Sequence, residues 1–316
     1  MVNKKIVCLG GGIGTVNLIR GLSQLVKDIT VIASMADDGG SAGRLRRLYS
    51  IPPPGDLVSC IEALSKADET MKKLLSYRFK GERYGVDESL GGHKLGNLMM
   101  VGLTSITGDF GKALSQMQKI FKTRGKILPA TMEPVSIWAE TSVGERVDRE
   151  ENIDLGRFTG TLEKLHLKPD NPKTSIDVED SIMSADLIIV GPGDLYSTIL
   201  PVLLVPKVLE AIKKSKAKKF YIVNVANKLF ETPNYKVQDY IKAVATHCGN
   251  NIFDLVLTNS NIKPQIPNRY KRQYEYVPLN YEKNNAYSVI SRDIIDMKFP
   301  LYHDSIKLAK VIIENI

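Results

Sequence analysis

Lys4-Lys5-Ile6-Val7-Cys8-Leu9-Gly10-Gly11-Gly12-Ile13-Gly14-Thr15 is the stretch that decides the fold. An apolar run that empties into glycines reads as a buried strand turning directly into a helix. Such a turn leaves the first N–H groups of the helix without intrahelical partners, and the helix dipole adds positive potential there. Phosphate is the natural occupant. The dinucleotide fingerprint asks for glycine at its first, third and sixth positions. Gly10 and Gly12 supply the first two, Thr15 stands at the sixth, and Gly14 falls one residue early. No Gly-Lys-Ser/Thr follows, so this is not a lysine-bearing P-loop. A tight turn with no ligand is the plainer alternative.

A second apolar run, 29–34, leads to the adjacent acids Asp37 and Asp38. Carboxylates at the tip of a neighbouring strand suit a ribose hydroxyl or a metal ion bridging phosphate oxygens. Strands over 4–9 and 29–34 flank a helix over about 16–26, and 36–56 reads as a long glycine- and proline-rich functional loop. Helices are expected at about 57–80, 94–106 and 110–121. From 126 to 167 the pattern shifts to short alternating strands, 135–141 and about 160–167, around a turn at Gly144. Strand–helix alternation resumes with strands at 187–190, 220–225 and 255–258 and a last helix from about 305. The expected architecture is α/β: a three-layer α/β/α Rossmann-like domain with a mostly parallel sheet and a small antiparallel insertion. No linker or repeat divides it, so 1–316 reads as one domain.

The composition, with 43% hydrophobic and 25% charged residues, is that of a soluble globular protein. No signal-peptide pattern opens the chain. The most apolar window, 187–205, is broken by Gly191, Pro192, Gly193, Asp194 and Pro201, which excludes a membrane span there. Cys8, Cys60 and Cys248 are odd in number and far apart, which points to core thiols and a reducing cytoplasm. The four histidines show no metal-ligand spacing. The net charge of +8 is concentrated only at 213–219, where cations complement a helix C-terminus. Phosphorylated small molecules account for the surplus, and no nucleic-acid-binding signature accompanies it.

Five loops share glycine and small polar residues and follow strands or open helices. In an open α/β sheet, loops at the carboxyl ends of the strands converge on one crevice. They are Gly10, Gly11, Gly12, Gly14 and Thr15; then Asp37 and Asp38 with Gly39-Gly40-Ser41; and Pro53-Pro54-Gly55-Asp56. Asp56 suits either a metal or a helix N-cap. The fourth loop carries His93, Lys94 and Asn97, placed to reach an anion or a base. The fifth holds Gly191, Gly193, Asp194 and Ser197, with backbone and hydroxyl donors for phosphate. Arg44, followed by Arg46 and Arg47, is a candidate to close over a diphosphate, with a solvated basic face as the alternative.

Taken together these segments resemble the CofD-like superfamily, and most closely its YvcK branch, the gluconeogenesis factors. The likeness rests on 10–15, 36–46, 53–56, 93–97, 128–135 (Leu-Pro-Ala-Thr-Met-Glu-Pro-Val) and 191–198, in order. It implies a cytoplasmic, often oligomeric Rossmann-like protein tied to gluconeogenic growth, cell shape and cell-wall supply. It also implies binding of a uridine-diphosphate amino sugar. The CofD branch implies instead a transferase moving a phospholactyl-type group from a guanosine diphosphate donor to a deazaflavin. There Mg²⁺ ligands match Asp38 (or Asp37) and Asp56. A third reading, an NAD(P)-binding protein, places Asp37 on a ribose. Asp194 and Ala130 stand where that pattern has serines, and the stretch 224–236 lacks its Thr-Gln-Pro-Gly segment.

Overall fold

In a computed structural model, which describes residues 2–86, 88–282 and 286–316, the glycine-terminated strand lies near the middle of a parallel sheet. The chain runs β1 (Val2–Gly10), α1 (Gly12–Leu25), β2 (Val26–Ala33), α2 (Gly40–Tyr49), α3 (Gly55–Leu64), α4 (Glu69–Ser76), α5 (Leu95–Thr107), α6 (Phe110–Ile120) and β3 (Lys126–Pro129). An antiparallel excursion follows: β4 (Ser136–Thr141), β5 (Arg146–Asp148), α7 (Glu150–Asp154) and β6 (Leu162–Lys168). Next come α8 (Ile176–Met183), β7 (Leu187–Val190), α9 (Leu200–Leu203), α10 (Pro206–Lys214) and β8 (Lys218–Ile222). The chain ends with β9 (Ala226–Lys228), α11 (Val237–Cys248), β10 (Leu255–Asn259), β11 (Tyr274–Tyr276), β12 (Ser288–Arg292) and α12 (Ser305–Ile313).

Seven strands form one sheet in the order β12-β10-β8-β7-β1-β2-β3, every neighbouring pair parallel. A parallel sheet must be covered on both faces, and the strand sequences provide for this. Along β1, Val7 and Leu9 join the core on one face, while Ile6 and Cys8 join the core on the other. Helices α1, α3, α6 and α12 cover the second face through Leu18, Leu57, Met117 and Leu308. Helices α8, α10 and α11 cover the first through Ile182, Ile212 and Tyr240, beside the three-stranded sheet β5-β4-β6. Fully burying each such side chain contributes roughly 1.5–3 kcal/mol. The α/β/α layering and the antiparallel insertion are as the sequence leads one to expect.

Strand order reverses between β1 and β7. The chain builds outward from β1 to β3, then returns to β1's other side at β7. Gly10 pairs with Ala33 and Leu9 with Val190, so the loops after β1, β2 and β7 leave the sheet at the same edge. A crevice opens at this switch point.

Several boundaries differ from the sequence reading. Helix α1 begins at Gly12, four residues before the expected 16, because Ile13, Gly14 and Thr15 lie in its first turn. The stretch 36–56, read as one loop, contains α2, which is entered through Gly39-Gly40 and closed by Ser50 in the left-handed region (φ 52°). The helix expected over 57–80 is two, divided before Asp68, whose carboxylate accepts the Met71 N–H at 2.9 Å. β3, grouped with the alternating strands, instead extends the parallel sheet beside β2, and β12 adds the opposite edge. Among the described residues no single helix is long and apolar enough to cross a membrane. The apolar segments Leu195–Leu203 and Pro206–Lys214 are bent by 71° from one another and bury Leu200, Val208 and Ile212 in the core.

Candidate functional site

The switch-point crevice has a volume of about 330 Å³. Of the residues singled out in the sequence, Gly11, Gly12, Gly14, Asp37, Gly39, Asp56, Gly193, Asp194 and Ser197 line it. The two glycine turns face one another at its base. Gly12 has φ +63° and an added Cβ would meet nothing within 4 Å, so its open side faces free space. At Gly14 an added Cβ would stand 2.6 Å from the Pro192 carbonyl oxygen, so only glycine lets the two turns pack this closely. Thr15 is fully buried and donates to that same carbonyl at 3.2 Å; it fastens the turns and does not line the crevice. Gly10, which ends β1, and Gly191, which follows β7, also lie behind the lining.

The acids are arranged differently from the expected Asp38–Asp56 pair. Asp38 turns away from the crevice: its Oδ1 accepts the Glu151 N–H at 3.1 Å and its Oδ2 lies 3.5 Å from Arg149 Nε. It pins α7 of the insertion to the loop after β2. Asp37 faces the crevice instead, with Oδ1 accepting the Gly39 N–H at 3.0 Å. Burial, followed by the negative charge of Asp56, pushes the Asp37 carboxyl up to about 7. Asp56 is likewise raised by burial, against the Gly12 N–H that donates to it. Pro54, not Asp56, is the N-cap of α3, so Asp56 reaches across to the start of α1. An added Cβ on Gly11 would overlap Asp56 Oδ2.

The remaining candidates lie outside the crevice lining. Arg44, only 1% exposed, donates to the carbonyls of Glu82 (3.2 Å), Ser89 (2.6 Å) and Gly91 (2.8 Å), which makes it a structural anchor. His93 and Asn97 are buried around the start of α5. Lys94, at the N-cap of that helix, donates to Ser59 Oγ at 3.0 Å. Burial, with Arg78 adding to it, lowers its ammonium, against the attraction of Glu62 and Asp56.

Sequence reasoning missed a second group of lining residues. Arg83, Tyr84, Glu150, Asp154, Asn224, Lys228 and His303 all face the crevice. Asn224 Oδ1 accepts the Gly193 N–H at 3.0 Å, and Glu231 accepts the N–H groups of Tyr196 and Ser197 at the turn after β7. Lys228 pairs with Asp154 and, at 3.6 Å, with Asp194. Carboxylate oxygens of Asp154, Asp194 and Glu231 lie within 4.8 Å of one another, and Lys228 already supplies positive charge there. Burial and then Asp194 push Glu231 up to about 8, with Lys228 opposing. The stretch 224–236 thus shapes the second glycine turn, although its sequence departs from the expected pattern. Its signal in the sequence was its place directly after the buried end of β8.

A family model described as 2-phospho-L-lactate transferase CofD matches residues 6–295. The chain belongs to the CofD family. It is 37% identical to a protein named gluconeogenesis factor from Halalkalibacterium halodurans, over 100% of this chain and 97% of that one. A gluconeogenesis factor from Bacillus subtilis is 40% identical over 98% of this chain and 97% of its own. A crystal structure of a UPF0052 family member from Bacillus halodurans superposes with a TM-score of 0.92 at 36% identity, covering 99% of both chains. These relatives place the chain in the gluconeogenesis-factor, or YvcK, branch of the CofD-like proteins.

Proposed function

We propose that the crevice binds a nucleoside-diphosphate-linked ligand, a uridine-diphosphate amino sugar of the N-acetylglucosamine type, and that the protein is a cytoplasmic regulator of carbon metabolism and cell shape. One observation carries the reading: two glycine turns and the N-terminus of α1 meet a half-buried carboxylate pair, Asp37 and Asp56, across a single crevice. Backbone donors at a helix start suit phosphate. The acids alone would repel it, and they are hard oxygen donors of the kind Mg²⁺ takes. Asp37 and Asp56 would hold the cation, which when bound neutralises diphosphate oxygens. Ile13 and Gly14, in the first turn of α1 beyond the Gly12 N–H that serves Asp56, would present N–H groups, and Gly14 and Thr15 would keep the two turns in register.

The carboxylate pair also favours a second reading, a magnesium-dependent transferase acting on a guanosine diphosphate-linked donor, in line with the family description. A thermal-shift screen separates the two, with uridine-diphosphate-N-acetylglucosamine, guanosine nucleotides and NAD(P), each with magnesium and with chelator. A ligand at 100 times its Kd adds about 2.7 kcal/mol of apparent stability. Stabilisation by the uridine nucleotide sugar supports the regulator. Magnesium-dependent stabilisation by guanosine diphosphate compounds alone replaces it with the transferase, and stabilisation by NAD(P) alone overturns both.

A further inference from the structure

The crevice is acidic in a protein of net charge +8, and its cations are few. Lys228 is engaged by Asp154 and Asp194, and Lys94 lies outside the lining. Arg83 differs from both. It lines the crevice from the segment between α4 and α5, and among the described residues it joins no ion pair. Its guanidinium carbon lies 5.8 Å from the centroid of the Tyr84 ring beside it. An added Cβ on Gly40 would stand 2.6 Å from Arg83 Nε, so the arm lies flat on the first turn of α2. From there its charge acts on both Asp37 and Asp56.

The arm is held in place from below. Arg44 grips the carbonyl of Glu82, next to Arg83, and those of Ser89 and Gly91 on the returning limb. Arg78 donates to Gly92 O and lies 3.2 Å from Ser41 Oγ, which ties the same segment to α2. Guanidinium is planar and offers five donors in a fork that matches two phosphate oxygens, which an ammonium cannot do.

We propose that Arg83 is the side chain that meets the anionic diphosphate of the ligand opposite the glycine turns, with Arg44 as its positioning residue. This rests on the nucleotide-binding reading above, and it names which cation completes that site. The arm that the sequence suggested, Arg44, lies one layer deeper and carries the true arm on its carbonyl contacts.

The test is calorimetric titration of the whole chain, in magnesium, with two probes: uridine-diphosphate-N-acetylglucosamine and inorganic pyrophosphate. Arg83→Ala is expected to weaken both by roughly tenfold to a hundredfold, the range for a lost charge-assisted hydrogen bond. Arg83→Lys should recover part of the loss as a point charge. Because Arg83 is exposed, the unliganded unfolding midpoint should not move. Arg44→Lys, unable to span three carbonyls, should weaken both probes and lower that midpoint. Arg83→Ala that binds both probes as the wild type does overturns the arm and leaves the nucleotide reading standing. A wild type that binds pyrophosphate but not the nucleotide sugar overturns the nucleotide reading, and Arg83→Ala on pyrophosphate still decides the arm. A wild type that binds neither overturns both.

Discussion

The hydroxyl of Thr15 donates to the carbonyl of Pro192 at 3.2 Å, across 177 residues of chain. This bond joins the first turn of α1 to the turn after β7 and so ties the two halves of the crevice floor together. Thr15→Val keeps the shape and removes the donor, leaving a buried carbonyl unpaired. The expected loss is about 1 kcal/mol of stability, read from urea unfolding, with weaker nucleotide binding. Thr15→Ser should restore both. Unchanged unfolding in Thr15→Val would mean that packing alone holds the turns together.

Gly12 and Gly14 should respond in opposite ways. Gly12 opens onto free space at φ +63°, so Gly12→Val folds at a strain of about 1–2 kcal/mol and blocks the ligand. Gly14→Ala adds nothing to the crevice, but its Cβ meets the Pro192 carbonyl at 2.6 Å, so stability falls first. Calorimetry beside thermal unfolding for both variants reads this contrast. A Gly12→Val protein with wild-type affinity would move the phosphate to the turn after β7.

The carboxylates separate regulator from enzyme. Asp37→Asn and Asp56→Asn should each abolish any effect of magnesium on ligand affinity, since both face the crevice. Asp38→Asn should leave that effect intact and instead loosen α7, whose Glu151 N–H and neighbouring Arg149 it holds. Titrations with magnesium and with chelator for the three variants give the answer. Magnesium dependence lost in Asp38→Asn but kept in Asp37→Asn would reverse the assignment.

The fold was legible because burial writes itself into sequence: β1 alternates Ile6 and Cys8 with Val7 and Leu9, and its glycines mark where the sheet ends. Layering and insertion follow from such patterns. The site was legible only where backbone geometry demands glycine, or where acids sit at a strand tip. Which of two adjacent acids faces inward was not, because Asp37 and Asp38 differ only in how the chain turns after Ala33. Arg44 misled for a related reason. A guanidinium fits three carbonyls as well as it fits a phosphate, and α2 was hidden by its own glycines. Lys228 and Arg83 carry no local pattern and reach the crevice only through long-range packing.

The last expectation concerns acid. His303 is 3% exposed and lines the crevice; its ring donates to the Val223 carbonyl and its Nε2 is buried without a partner. Burial pushes the imidazole from 6.5 down to about 4, against that hydrogen bond. The unfolded chain therefore takes up its proton near the ordinary value, and the folded chain takes it up only near 4. Between those values the unfolded state binds more protons, so this contribution to stability is present above the ordinary value and is lost as the pH falls toward 4. The full effect is about 3 kcal/mol. The raised carboxyls of Asp37 and Glu231 act in the opposite direction, so the wild-type curve alone does not isolate it. The difference between wild type and His303→Leu does, since shared groups cancel. Urea unfolding of both proteins from about pH 7.5 to about pH 4.5 should show the wild type losing stability relative to the variant. Parallel curves would mean that His303 is solvated and protonates in the folded state much as it does in the unfolded chain.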